Sequence, residues 1–281
     1  MKTPVAFVLA ALGLLSGCGV LRPTHATIST HYYAADRGHA SVDEASGRAA
    51  CLLVMLPGIG DSAQSFERHG FVEEARRAGL GCDVALVDAH FTYYLIQNAV
   101  ERVSTDVLQD ARDRGYRSVW LVGVSLGGYG AMLTARAHPE LVDGLVLLAP
   151  MVGVPPSEND VAQEILAAGG LHRWSGLDTG ADDPRHHFRE ARLAWDWLRV
   201  STLDPRSAQT LVLAFGTEDT RAARYEVISE VLPAQAVFRC DGAHDWPTWR
   251  RLWREVLRAH PWRRGAPASE VVASTPIRSG G

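Results

Sequence analysis

At 281 residues the chain is long enough for one large α/β domain or two small ones, and for a substantial buried core. With 47% hydrophobic and 21% charged residues it is neither disordered nor membrane-spanning throughout. The net charge is only −4 and no dense Lys/Arg stripe appears, so no nucleic acid partner is expected.

In chain order, the first element is a targeting segment. Lys2 gives a positive end, residues Pro4 to Leu15 are almost all apolar, and Ser16-Gly17-Cys18 follows. The run is too short to span a bilayer and has the length of a signal-peptide core. "LLSGC" resembles the bacterial lipoprotein signal. That resemblance implies removal of residues 1–17, a lipid on the Cys18 thiol and a membrane anchor. Gly19 after the cysteine resembles lipoproteins sorted to the outer membrane, facing the periplasm. Export permits a disulfide among Cys51, Cys82 and Cys240. Three is odd, so at least one thiol stays free or pairs between chains.

Residues 18–48 are small and polar and read as a tether carrying one early strand in "ATISTHYYA". From Cys51 the pattern is regular. "CLLVMLPG" is a buried strand, "SFERHGFVEEARRAG" a helix and "CDVALVDA" a strand, with Asp88 a turn residue. "YLIQNAVERVSTDVLQDARDRG" is a helix, "SVWLVGVS" a strand, "GGYGAMLTARAHP" a helix and "VDGLVLLAP" a strand. Strands that are apolar throughout and alternate with helices predict a mostly parallel sheet covered on both faces, a three-layer α/β/α sandwich. The pattern breaks over 151–205, then resumes with "TLVLAFG", a helix, "AVFRC" and a last helix from Pro247. In that helix Trp249, Leu252, Trp253, Val256 and Leu257 fall at helical spacing, and the arginines form its wet face. The domain is thus bounded at 49–263, with an insertion over 151–205 and a disordered tail over 264–281.

In such a sheet chemistry collects at the carboxyl ends of the strands. Ser125 stands there, between Gly123 and Gly127, where a strand turns into a helix. The glycines leave room for a strained turn that pushes the hydroxyl outward, and the helix N-terminus favours negative charge at the same spot. A serine hydroxyl needs a base and an orienting acid. Asp219 lies in the turn after "LVLAFG", and His244 in the loop after "VFRC". Glu218 and Asp204 compete with Asp219 for the acid role, and position in the turn favours Asp219. Of the other histidines, His138 and His260 sit near helix ends and His69 within a helix. His186-His187 beside Asp182-Asp183 reads as a helix start, with Asp183 as cap and Pro184 first. No ligand set with metal spacing appears, so no metal is expected.

"GVSLGG", "GTEDT", "GAHDW" and "LPGIGDS" together resemble the α/β-hydrolase fold of serine esterases and lipases, from about Cys51 to Ala259. The resemblance implies a Ser125, Asp219, His244 triad and an oxyanion hole from the backbone N–H groups of Leu126 and Ile59. Pro57 stands where the family usually has a histidine. It also implies a cap over 151–205, holding Leu166, Leu171, Trp174, Trp195 and Trp197. These, with "FTYY" (91–94), are candidates for an apolar substrate wall or for plain packing. The strand order of that fold makes the strands that begin at Cys51 and Cys82 neighbours. A bond between these two cysteines, with Cys240 free, follows from it. The expected activity is hydrolysis of a carboxylic ester on a small acyl substrate, with no cofactor. Transfer or thioester cleavage on the same triad and a non-catalytic binding lipoprotein are the alternatives.

Overall fold

A computed structural model of the chain describes residues 21–35, 49–152, 161–176, 189–203 and 209–263, the first three of the fourth segment and Arg263 in backbone only. The signal segment, Cys18, the candidate cap start at Asp182, Asp183, Pro184, His186 and His187, Asp204 and the tail lie outside these residues.

The strands are β1 (Thr30–Tyr33), β2 (Cys51–Leu56), β3 (Asp83–Val87), β4 (Ser118–Val124), β5 (Gly144–Leu148), β6 (Thr210–Gly216) and β7 (Val237–Cys240). They form one sheet in the order β1-β3-β2-β4-β5-β6-β7. Only β1 is antiparallel to its neighbour. β3 and β5 are buried at every position, and β2 and β4 at all but the first. That is why these strands read as unbroken apolar runs: helices cover both faces of the sheet.

Those helices are α1 (Ala63–Arg68), α2 (Phe71–Arg77), α3 (Phe91–Leu95), α4 (Ala99–Val103), α5 (Asp110–Asp113), α6 (Leu126–Ala137), α7 (Val161–Ala167), α8 (Arg189–Leu203), α9 (Ala222–Ser229) and α10 (Trp246–Ala259). Two expected helices are broken. The first divides into α1 and α2 at Gly70, whose φ of 78° leaves the helical region. His69 is therefore the residue that closes α1, not an interior one. The second divides at Gln97, which has φ 59°, and its later part holds a π-helical stretch at Ser104–Gln109. No helix among the described residues is long and apolar enough to cross a membrane.

Cys51 opens β2, and Cys82 directly precedes β3. The parallel register sets Leu52 opposite Asp83, so the two cysteines are also opposite. They form a disulfide, and Cys240 is free. Residues 21–35 lie against the domain. Their backbone is tied to the domain by Arg22 N–H to Thr92, His25 N–H to the Tyr93 hydroxyl, Ile28 N–H to Asp106 and Ala35 N–H to Asp83.

Of the candidates for a substrate wall, Tyr93, Leu171, Trp174, Trp195 and Trp197 are buried and serve packing, Phe91 and Tyr94 are partly buried, and Leu166 is 50% exposed. Tyr94 points its hydroxyl at Gly130 in α6, where a Cβ would lie 2.1 Å away.

Candidate active site

Ser125 follows β4 and caps α6 with φ 50° and ψ −113°, a conformation that costs a non-glycine residue of order 1–3 kcal/mol. Close packing holds it there. A Cβ on Gly127 would lie 2.0 Å from the Leu56 carbonyl oxygen, and one on Gly123 2.4 Å from that of Gly127. Only glycine at both positions lets the first turn of α6 sit against the ends of β2 and β4. The Ser125 backbone is fastened to β5 and beyond, its N–H to the Leu148 carbonyl at 3.0 Å and its carbonyl to the Met151 N–H at 2.8 Å.

The Asp219 and His244 loops are laced together by backbone bonds. Thr217 N–H donates to the Cys240 carbonyl and Glu218 N–H to that of Gly242, both at 3.0 Å. The approach is close enough that a Cβ on Gly216 would be 2.1 Å from the Gly242 oxygen. Glu218 thus contributes its backbone to the junction. Asp219, the next residue, turns its carboxylate inward and is 4% exposed.

Three side chains then form one line. His244 Nδ1 donates to Asp219 Oδ2 at 2.5 Å, and its Nε2 lies 2.9 Å from Ser125 Oγ. With the proton on Nδ1, Nε2 is left to accept from the serine hydroxyl. The remaining Asp219 oxygen accepts the Arg221 N–H at 2.9 Å, and Tyr225 approaches Oδ2 at 3.4 Å. Burial pushes the Asp219 carboxyl up. The hydrogen bonds from His244 and the Arg221 N–H outweigh it and hold the group below its ordinary value. The indole of Trp249 stands edge-on to the His244 ring, centroids 4.9 Å apart. Asp245, next to His244, is the cap of α10: its carboxylate accepts the Thr248 N–H at 2.9 Å.

Leu126 is the first residue of α6, so its N–H is one of the donors that a helix start leaves without an intrahelical acceptor. Ile59 sits at the tip of a turn closed by the Asp61 N–H on the Gly58 carbonyl at 3.2 Å. A Cβ on Gly58 would lie 3.5 Å from that of Ser125, so this loop borders the serine. Among the described residues no group of His, Cys, Asp and Glu has the makings of a metal site. His138 and His260 close α6 and α10, away from the line of three.

Several contacts at the site carry no motif in sequence. Trp246 donates from its indole N–H to Asp61 Oδ1 at 3.3 Å and stacks on His69 at 4.5 Å. Asp88 is more than a turn residue. It accepts from both terminal guanidinium nitrogens of Arg22, at 3.0 and 3.1 Å, and from the N–H of Ala63 at 3.1 Å. The same Arg22 side chain donates to the Asp61 carbonyl at 2.9 Å. The tryptophan beside "AHD" was the signal available for the first contact; nothing near Arg22 pointed to the second.

The family model for serine aminopeptidase, S33, matches residues 96–190, a stretch that holds Ser125 but neither Asp219 nor His244. No curated protein matches the chain. Among solved structures, Est1E from Butyrivibrio proteoclasticus is similar at 15% identity, over 82% of this chain and 91% of that one, with a TM-score of 0.55. The peroxisomal α/β-hydrolase Lpx1 of Saccharomyces cerevisiae is similar at 12% identity, over 93% of this chain and 91% of that one, with a TM-score of 0.53. At these identities the likeness is one of fold.

Proposed function

We propose that this chain, a serine hydrolase of the α/β-hydrolase fold, cleaves carboxylic esters through an acyl-enzyme on Ser125. The observation that carries the reading is the hydrogen-bonded line from Asp219 through His244 to Ser125 Oγ. His244 Nε2 takes the hydroxyl proton as Oγ attacks the ester carbonyl carbon. Asp219 holds the imidazole tautomer and stabilises the imidazolium that forms. The N–H groups of Leu126 and Ile59 bind the developing oxyanion. His244 then gives its proton to the departing alcohol, and water repeats the sequence on the acyl-enzyme, releasing the acid. Every step uses groups of the protein and water alone.

The protein works outside the cytoplasm, anchored by a lipid on Cys18. "LLSGC" supports this, and so does the Cys51–Cys82 disulfide, since such bonds persist in oxidising compartments. A fluorophosphonate probe tests the chemistry. It should label Ser125, and Ser125→Ala should abolish both labelling and the hydrolysis of a panel of acyl esters. A folded Ser125→Ala protein that still turns over esters at the wild-type rate would sink the reading. Faster turnover of an aminoacyl anilide than of any ester would move the substrate class to amides.

A further inference from the structure

We propose that the mouth of this site faces a phospholipid surface, met by an apolar rim of Leu21, Ile59, Leu95 and Ile96, and that its substrate is an acyl ester lying in that surface. The proposal rests on the ester reading and on the Cys18 anchor given above.

The four side chains are 52%, 47%, 46% and 50% exposed, a costly arrangement for large aliphatic groups in water. Arg22 ties together the three segments that carry them. Its N–H donates to Thr92 Oγ1 at 3.1 Å. Leu21 precedes it in the chain, while Leu95 and Ile96 follow Thr92 by three and four positions, the spacing that shares a helix face. The Ile96 N–H indeed bonds the Thr92 carbonyl at 3.0 Å. The guanidinium of Arg22 reaches the Asp61 carbonyl, two residues from Ile59 at the tip of the loop bordering Ser125. The rim is therefore built from the loops after β2 and β3 and from the segment that leads in from the N-terminus.

That segment decides the occupant. Cys18 is four residues from Arg22, and four extended residues span at most about 14 Å. Arg22, His25 and Ile28 are bonded to the domain through their backbone N–H groups, so the slack between anchor and domain is the short stretch from Cys18 to Arg22. A lipid on Cys18 thus holds this side, and the Ile59 loop with it, against the bilayer. Burying the four side chains in the headgroup boundary adds to the anchor in the manner of an interfacial apolar face. An ester dissolved in the same leaflet then reaches Ser125 without crossing water.

The test uses full-length lipidated protein in phospholipid vesicles, with a long-chain ester held in the vesicles and a water-soluble acetate ester as paired substrates. Leu95→Asp with Ile96→Asp should slow the vesicle-held ester on the order of tenfold and leave the soluble one within about twofold. Equal rates for variant and wild type on both esters would overturn the proposal, and so would equal loss on both. A second readout is independent of catalysis. Amide hydrogen exchange over residues 91–97 should be slower in the vesicle-bound protein than in Cys18→Ala free in solution, and the aspartate pair should remove that protection. No slowing at these amides overturns the membrane-facing rim even if every ester is cleaved. Slowing with no ester cleaved sustains the rim and overturns its lipid-ester substrate, which falls there with the esterase reading.

Discussion

Ser125 and His244 are held in place by opposite means. The serine is fixed by its own backbone: a left-handed φ of 50°, two glycines that admit carbonyl oxygens where a side chain would clash, and bonds to β5. The histidine is fixed from outside, by Asp219 at 2.5 Å, by the Trp249 edge and by a loop laced to the Asp219 loop. The first device is written in five consecutive residues. The second joins positions 25 and 119 apart in the chain. A backbone-held group tolerates change around it but not in its own glycines. A side-chain-held group fails when any one partner goes.

Asp219→Asn separates the two most sharply. The amide cannot act as the anionic acceptor that fixes Nδ1–H, so the histidine loses its tautomer while the serine turn is untouched. Turnover should fall on the order of 10⁴-fold, as in well-studied triads, with the far-ultraviolet circular dichroism unchanged. A fall of less than about tenfold would mean that His244 is held well enough by Trp249 and its loop alone.

The next effect is on stability and bears on the backbone-held half. The Cys51–Cys82 bond closes a separation of 31 residues between β2 and β3, the strands that lead into the Ile59 and Asp88 loops. Chain-entropy reasoning gives about 3–4 kcal/mol for a loop of that size. Cys51→Ala with Cys82→Ala should lower the urea midpoint accordingly while leaving kcat within about twofold, because the serine turn hangs on β4 and β5 rather than on β3. A large loss of kcat in the still-folded variant would show that the two strands position the site after all.

A smaller effect concerns the support of the histidine side. α10, which begins just after His244, is tied to α2 by Arg250 and Arg254 on the buried Glu74 carboxylate, at 2.6 and 2.8 Å. The hydrogen bond from Arg254, helped by Arg250 and opposed by burial, brings Glu74 down from 4.5 to about 2. A carboxylate depressed in the folded state adds stability above its unfolded value and loses it on acidification. The melting temperature should therefore fall as pH drops from 4.5 toward 2, and Glu74→Gln should flatten that window at the expense of stability at neutral pH. An unchanged acid limb in Glu74→Gln would show that other carboxylates govern it.

The difference between the halves also explains what was legible in the sequence. The parallel sheet could be read because β2, β3, β4 and β5 are buried on both faces and so carry unbroken apolar runs. Ser125 could be read because its constraint is local. Asp219 and His244 stand as candidates by position after a strand, since chain order along a sheet edge survives in sequence. The helix breaks at Gly70 and Gln97 are not legible in residue pattern, because the backbone angle is what records the turn. Asp88, Asp61 and Arg22 were not recognised together because their link is a tertiary ion pair and a side-chain-to-carbonyl bond, for which the chain has no spacing rule. For the same reason a polar composition does not reveal that the amides of Arg22, His25 and Ile28 bond Thr92, Tyr93 and Asp106.

A hydrogen bond from Trp246 also runs between the two halves, and its loss should have the least effect. Trp246, two residues after His244, donates its indole N–H to Asp61 in the loop of Ile59. The ring also packs on Phe66 and Phe71, centroids 5.4 Å away in each case, and on Trp249 at 5.2 Å. Trp246→Phe keeps an aromatic ring for that packing and removes the donor. At 3.3 Å the bond is long, and a hydrogen bond to a charged group contributes at most about 1.5–3 kcal/mol, so its share here lies at or below the lower bound. If it aligns the Ile59 N–H with the oxyanion, kcat should fall about three- to tenfold while KM stays level, because the donor acts on charge that exists only in the transition state. Asp61→Asn keeps an acceptor oxygen and should lose less. Saturation kinetics on one soluble ester decide the matter. A rise in KM at constant kcat would place Trp246 in substrate binding instead, and unchanged kinetics would mean that the serine side and the histidine side are each positioned without the other.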